Sequence, residues 1–423
     1  MRILDVSPRV ANPPARGSSV RTSGLLCGLA ERHEVIALSQ ARLRSGGDPE
    51  GARGAIAVTP SYTELRVAPP LPTLATELGA RSWVRAPVLS GAGLRFSPRL
   101  RRLVEWADVV LVEFPWQLAA CRHVANGTPV VLAAHNVEAP KFADYARAAG
   151  SPATTRPWLR AIERIERRAV RDAELVLAVS DADAGELHKR YAIAPERIVT
   201  IPNGADTGRY RPASPGERAA ARAALGLPDR PTALFAAADI PPNRAGLAWV
   251  RRLAQRAPQV TFLVTGAVCA PSRAGIVATG VLDDFGVALA AADVALCPIE
   301  FGGGTKIKLL EGLAAGLPTV AFAEALHGLD IDGAVLVAPK TEAGLLATLE
   351  CATDPAVATE LSRRGREWVV VHHDWRAIAR RLEDALERLV AAPQAAAVGS
   401  GSGSGAASGS GNGGIPTTSY TSS

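Results

Sequence analysis

Residues 298–322, PIEFGGGTKIKLLEGLAAGLPTVAF, read as strand end, glycine loop, helix and next strand. The apolar run Val294–Pro298 predicts a buried strand, and Gly302, Gly303 and Gly304 a tight loop. A helix is expected from Thr305 to about Ala315, stopped by Gly316 and Pro318, with Thr319–Phe322 opening another strand. Glycines lack Cβ atoms, so their backbone N–H groups can close on a ligand. The free N–H groups of a helix's first turn and the positive end of its dipole add to them. That combination binds phosphate. Lys308 and Glu311 are three apart and project from one helix face. An ammonium beside phosphates and a carboxylate one turn on suit a nucleotide, whose ribose offers two hydroxyls. The same turn also serves in α/β proteins only to pack a helix on a strand, and both readings stand at this point. The segment is neither GxGxxG nor a P-loop ending in GK[ST], which argues against dinucleotide binding and ATP hydrolysis.

Outward from this stretch the same alternation recurs. Strand-like apolar runs lie at Ile3–Val6, Val35–Leu38, Val109–Val112, Val130–Ala133, Leu175–Val179, Ile198–Ile201, Thr232–Phe235 and Thr261–Val264, separated by helical patterns. This argues an α/β fold with parallel sheets covered on both faces. The 423 residues and 48% hydrophobic content suffice for two or three domains. Asn203-Gly204, Pro212 and Pro215 mark a break. The expected division is a first domain at 1–206, a linker at 207–231 holding a short Arg/Ala helix, and a second domain at 232–392. The last helix of that domain, 374–389, can cross back to the first. The Gly/Ser-rich tail 393–423 has no means of forming a core and reads as flexible.

Five scattered cysteines (Cys27, Cys121, Cys269, Cys297, Cys351) without a CxxC read as small buried hydrophobes in a reducing compartment. The opening MRILDVSPRVANP reads as a first strand rather than a signal peptide, and no apolar run reaches membrane-spanning length. A cytoplasmic protein is expected. Residues 1–200 carry 27 Lys+Arg against 20 Asp+Glu, so the basic excess lies in the first half. Arg95, Arg99, Arg101 and Arg102 surround Leu94, Phe96, Leu100 and Leu103, a pattern that can touch an anionic membrane at its inner face. The arginines of 156–171 read instead as a solvated helix face partly neutralised by Glu163 and Glu166. Aromatic content of 5%, with no basic stretch interleaved by stacking residues, argues against nucleic-acid binding. Asp181 and Asp183 read as solvated helix-capping residues and His372-His373 as a surface turn, so no metal site is expected.

Five segments taken in order resemble a known family: PPARGSSVRTSGLLCGLAERHEV (13–35), AAHNVE (133–138), AVSDADAGEL with ERIVTIPNGAD (178–206), FAAADIPPNRAGLAWV (235–250) and GGGTKIKLLEGLAAGLPTV. Together they are similar to retaining glycosyltransferases of the GT-B architecture, in the family 4 / group 1 class. The resemblance covers essentially 1–390 and implies two Rossmann-like domains facing across a cleft. It implies transfer of a sugar from a UDP-, GDP- or other nucleotide sugar to a hydroxyl acceptor, with retention and without a metal or other cofactor. Residue by residue it implies donor binding by Gly17, Asn243, Gly303, Gly304, Thr305, Lys306, Lys308 and Glu311. His135 would lie near the transferred sugar, and Lys308 on the diphosphate. The family's first motif glutamate, eight residues before Glu311, is Gly303 here; the family's Arg and Lys at the second-domain entry loop are not plainly present either, with Arg244 a candidate and Lys306 able to compensate. That departure keeps open a non-catalytic nucleotide-sugar-binding homologue, and the shared two-domain fold keeps open a nucleotide-sugar epimerase. Acceptors in the class include polysaccharides and glycolipids.

Overall fold

The computed structural model describes residues 1–14, 16–41, 54–68, 82–91, 94–268, 272–331 and 333–392. Cys269 and the tail 393–423 lie outside the described residues.

Every strand expected from the sequence is present. The first sheet contains β1 (Arg2–Ser7), β2 (Glu34–Gln40), β3 (Gly54–Thr59), β4 (Tyr62–Val67), β5 (Val109–Glu113), β6 (Val130–Ala133), β7 (Leu175–Ala178) and β8 (Ile198–Thr200). Its order is β3-β4-β2-β1-β5-β6-β7-β8. The second contains β9 (Thr232–Ala236), β10 (Thr261–Thr265), β11 (Ile276–Gly280), β12 (Val294–Cys297), β13 (Thr319–Ala321) and β14 (Leu336–Val337), in the order β11-β10-β9-β12-β13-β14. The second sheet is parallel throughout, but the first is mixed: β3 runs antiparallel to β4, which corrects the all-parallel expectation. β5, β6 and β7 are buried at every position, as near-continuous Val/Leu runs require when helices cover both faces.

In each sheet the strand order reverses once, between β1 and β5 in the first and between β9 and β12 in the second. Ligands of open α/β sheets bind at such points, outside the carboxyl ends of the strands. The glycine loop follows β12 and therefore sits at the second sheet's reversal. Glu113 ends β5 and sits at the first's.

The chain crosses between the two halves twice, and the segments at the crossings pack as follows. Helix Pro215–Ala224 is followed by Leu225 and Leu227, which pack in the second half's core with Leu289 and Leu317. The last helix, Trp375–Ala391, returns to the first half and lies on helix Gly17–Leu29. A Cβ on Gly28 would sit 2.4 Å from the Cβ of Ala379, and one on Gly24 2.6 Å from the Trp375 ring, so only glycine allows this approach. Leu382 and Leu386 join Leu25, Leu26 and Leu29 in one core. Where the chain crosses between the halves, Ala205 bridges to Asp374, with Ala205 N–H donating to the His373 carbonyl at 2.8 Å.

His373 is consequently buried beneath Trp368, its Nδ1 2.6 Å from the Asn203 carbonyl, and burial lowers its pKa. This corrects the surface-turn reading of His372-His373. Asp183 is likewise buried rather than solvated, held by the hydroxyl of the capping Ser180 at 2.7 Å. Cys351 is exposed, unlike the other described cysteines. The arginine-rich helix, Arg156–Asp172, does present Arg167 and Arg168 to solvent in pairs with Glu163 and Asp172. Among the described residues no helix is long and apolar enough to cross a membrane.

Candidate active site

The glycine loop is shaped by its own backbone and by the other half of the molecule. Gly302 and Gly304 have φ of 107° and 66°, a region that side chains rarely occupy. A Cβ on Gly304 would lie 2.6 Å from Asn136 Oδ1 and 3.0 Å from the His135 carbonyl. The loop is thus pressed against the residues following β6. Gly303 differs: a Cβ there would make ordinary contacts at 3.6–3.8 Å with Asn136 and Lys141, so glycine at this position is not demanded by space. Lys141 in turn pairs with Glu138 at 2.5 Å, and Asn136 donates to Glu138 at 3.1 Å.

The helix begins at Ile307, two residues later than expected, and ends at Ala314. Thr305 and Lys306 are drawn out of its first turn by other partners. Thr305 Oγ1 accepts a 2.6 Å hydrogen bond from Asn203 Nδ2. Lys306 folds back, its ammonium on the carbonyls of Gly302, Gly303 and Gly304 at 3.0, 3.1 and 2.6 Å. Burial pushes that ammonium down to about 8. Lys306 therefore fastens the loop, and its charge stays within it.

Gly17 starts helix Gly17–Leu29, and a Cβ on it would be 3.9 Å from Ile307 at the start of the second helix. The N-terminal turns of two helices, one from each half, are thus neighbours. Their free N–H groups and dipoles favour an anion there.

Lys308 lies one residue into that helix. It donates to Asn243 Oδ1 at 2.9 Å, stands 5.0 Å over the Phe235 ring, and is lowered by burial. Asn243 also donates to the Ala238 carbonyl at 2.8 Å, so it holds Lys308 from a fixed position. Glu311 is buried and forms no side-chain hydrogen bond with any described residue. Desolvation raises it to about 8, opposed only by Arg209. A buried carboxyl without donors is costly unless something supplies them, and a pair of ribose hydroxyls would. Arg244, by contrast, is spent on Asp239 at 2.6 Å on the surface.

Across the cleft His135 is buried, with its Nε2 paired to Glu113 Oε2 and its ring stacked on Phe114 at 4.1 Å. Glu113 and Phe114 were not singled out from the sequence, although an acid closing the apolar run VVLVE was visible. Arg21 was also missed. It is fully buried and donates to the carbonyls of Ile201 and Pro202 and to Asn203 Oδ1 at 2.8, 2.9 and 3.0 Å. Asn203 thereby joins the helix behind Gly17 to the residue following Gly304. Among the described residues one group of potential metal ligands has atoms within 4.8 Å of one another: His33, Glu383 and Glu387. The amine of Met1 lies 3.1 Å from His33 Nδ1, and Nε2 lies 2.9 Å from Glu383, which reads as a polar clasp on the last helix.

Models of two sugar-transferring families match consecutive parts of the chain: Glycosyltransferase Family 4 over residues 15–209 and Glycosyl transferases group 1 over 231–354. A D-inositol 3-phosphate glycosyltransferase of Saccharomonospora viridis is 31% identical over 65% of this chain and 67% of its own length. The chain belongs to the family 4 / group 1 glycosyltransferases. An alpha-maltose-1-phosphate synthase of Mycolicibacterium smegmatis is 29% identical to this glycosyltransferase, over 69% of this chain and 72% of that one. The fold is GT-B. Sucrose-phosphate synthase from Thermosynechococcus elongatus superposes with a TM-score of 0.70 over 93% of this chain and 100% of that one, at 18% identity. Anabaena HepE, solved in complex with UDP and glucose, does so at 0.66 over 92% and 99%, at 16% identity.

Proposed function

We propose that this glycosyltransferase moves a sugar from a nucleoside-diphosphate sugar to a hydroxyl acceptor with retention at the anomeric carbon, and without a metal. In this reaction the bond from the anomeric carbon to the diphosphate oxygen breaks. The acceptor oxygen bonds to the same face, and its proton leaves with the diphosphate or to solvent. The observation that carries the reading is the neighbouring pair of helix N-termini with Lys308 and the donor-less carboxyl of Glu311 on the second helix. Charge gathers on the diphosphate as it departs, and preorganised N–H groups and an ammonium stabilise it where it develops. They supply the role a divalent cation would otherwise take. Gly17, Gly303, Gly304 and Thr305 contribute backbone and hydroxyl groups on the phosphate side. Lys306 holds the loop, Asn243 holds Lys308, and His135 stands on the sugar side.

A thermal-shift screen of UDP-, GDP-, ADP- and dTDP-sugars tests the donor, because a ligand that binds only the folded state raises its stability. One nucleotide series should raise the melting temperature, followed by transfer to a hydroxyl acceptor with the anomeric configuration kept. Donor binding with no transfer across acceptors would favour the non-catalytic alternative. Interconversion of sugars without acceptor would favour the epimerase.

The first half also carries a basic surface patch. Phe96 is 71% exposed with Arg95 stacked on it at 4.6 Å, and Arg99, Arg101 and Arg102 are exposed on the helix that follows, Pro98–Trp106. An aromatic wedge within a cationic patch suits peripheral attachment to an anionic bilayer at the cytoplasmic face. Co-sedimentation with vesicles of phosphatidylglycerol should be lost in a Phe96→Ala/Arg99→Glu/Arg102→Glu variant. Equal sedimentation of both proteins would remove the membrane from this proposal.

A further inference from the structure

Three features of the first half remain outside the donor site just described: two grip one imidazole, and the third lies beside the carboxyl that binds it. Glu113, the last residue of β5, is buried and pairs through Oε2 with Nε2 of His135. Phe114, the next residue, has φ 69° and ψ 160° although it is not glycine, and its ring lies parallel to the imidazole at 4.1 Å and 12°. Asp5, on neighbouring β1, is fully buried, and neither of its carboxyl oxygens has a hydrogen-bond partner.

Strained backbone of this kind persists only where the surroundings over-determine it. Here the strain turns the aromatic ring onto His135 immediately after the residue that binds the same imidazole. One local turn therefore grips the ring at its face and at its edge. The carboxyl cluster behind it explains the polarity. Glu64 is supplied with donors: the Ala11 amide at 2.7 Å, the Ser39 hydroxyl at 2.8 Å and Arg66 Nη2 at 3.1 Å. Glu113 has His135. Asp5 has no N–H donor among the described residues, and desolvation, followed by the charges of Glu113 and Glu64 and contact with the Glu113 carboxyl, holds it well above the usual carboxylate range. The buried guanidinium nearest to Glu113, Arg21, is committed to the chain at 201–203.

We propose that Glu113 is a positioning residue for His135, fixing the imidazole with its proton on Nε2 and leaving Nδ1 to accept a hydrogen bond from a hydroxyl of the bound sugar. A carboxylate is acceptor-only, so the nitrogen facing it must carry the proton, and the tautomer of a neutral imidazole follows. Nδ1 makes no hydrogen bond with any described residue. His135 also adjoins the glycine loop through its carbonyl, which places the residue between the two halves. The inference rests on the cleft being the sugar site.

The test combines Glu113→Gln, Glu113→Asp and His135→Asn. In 15N spectra of the wild type, His135 should show a protonated Nε2 and an unprotonated Nδ1, and Glu113→Gln should mix the tautomers. Glu113→Gln should lower kcat about 10- to 100-fold, the scale of one misplaced hydrogen bond, with donor KM changed by less than about threefold. Glu113→Asp, which keeps the charge, should recover part of the loss. Adding Glu113→Gln to His135→Asn should cost nothing further, since one acts through the other. A protonated Nδ1 in the wild type, a fully active Glu113→Gln, or losses that multiply in the double variant would each overturn the proposal. The spectra need no turnover, so a wild type that transfers no sugar would sink the proposed reaction while the tautomer is still read.

Discussion

Lys308→Ala should fold and bind donor, yet turn over about 10²- to 10³-fold more slowly, the range seen when one preorganised transition-state donor is removed. Its ammonium is fixed by Asn243 at 2.9 Å and carried on a packed helix, so it does not reorganise as the reaction proceeds. The charge it meets grows only as the sugar–diphosphate bond breaks, and an interaction that strengthens along the reaction acts on kcat. Burial already lowers this ammonium's hold on its proton, so the folded protein does not depend on the charge for stability. Single-turnover kinetics with the preferred donor separates the terms. A variant that loses affinity and keeps kcat would make Lys308 a ground-state anchor.

Glu311→Gln should have opposite effects on the empty and the occupied protein. The carboxyl is raised from its ordinary 4.5 to about 8, chiefly by desolvation. The sign follows from linkage. Below about pH 4.5 both folded and unfolded chains hold the proton, and the group costs nothing. Between that pH and about 8 the unfolded chain ionises while the folded one does not, and stability falls as pH rises. Above about 8 the penalty is complete, on the order of 2–4 kcal/mol at 1.36 kcal/mol per unit with allowance for relaxation. Glu311→Gln should therefore melt higher than the wild type at pH 8.5 and alike at pH 4.5. Donor affinity should drop by about 1–3 kcal/mol as the hydrogen bonds from the ribose hydroxyls are weakened. Calorimetric melts at the two pH values, with and without donor, check both halves. A variant less stable than the wild type at pH 8.5 would mean that Glu311 has a structural partner.

How much of this was legible in the sequence follows from what each residue touches. The central strands were readable because burial on both faces writes them as unbroken Val and Leu runs. β4 was not, because its inward face is Tyr62, Glu64 and Arg66, so the usual alternation is inverted. β11 and β14 were too short or too exposed to mark themselves. Lys308, Glu311 and the loop glycines could be read from local spacing, and the structure brings them together at the second sheet's reversal. The late helix start could not, since it depends on Asn203 reaching Thr305 from about a hundred residues away. Glu113 obeyed the same rule that picked out His135, a polar residue at the carboxyl end of a buried strand. Its importance lies in a pairing across strands, which no linear pattern records. His373 read as surface because two adjacent histidines look solvated, yet the returning chain covers the second one.

The chain passes between the halves at 203–207 and again at 373–375, and the two passages lie side by side, tied by Ala205 and Asp374. Two tethers at separate places would lock the halves rigidly, and a single tether would let them swivel freely. Two at the same place act as one pivot. Of the motions open to the halves, a change of angle about this point disturbs the least backbone pairing, because sliding or twisting would strain the single bridge between Ala205 and Asp374.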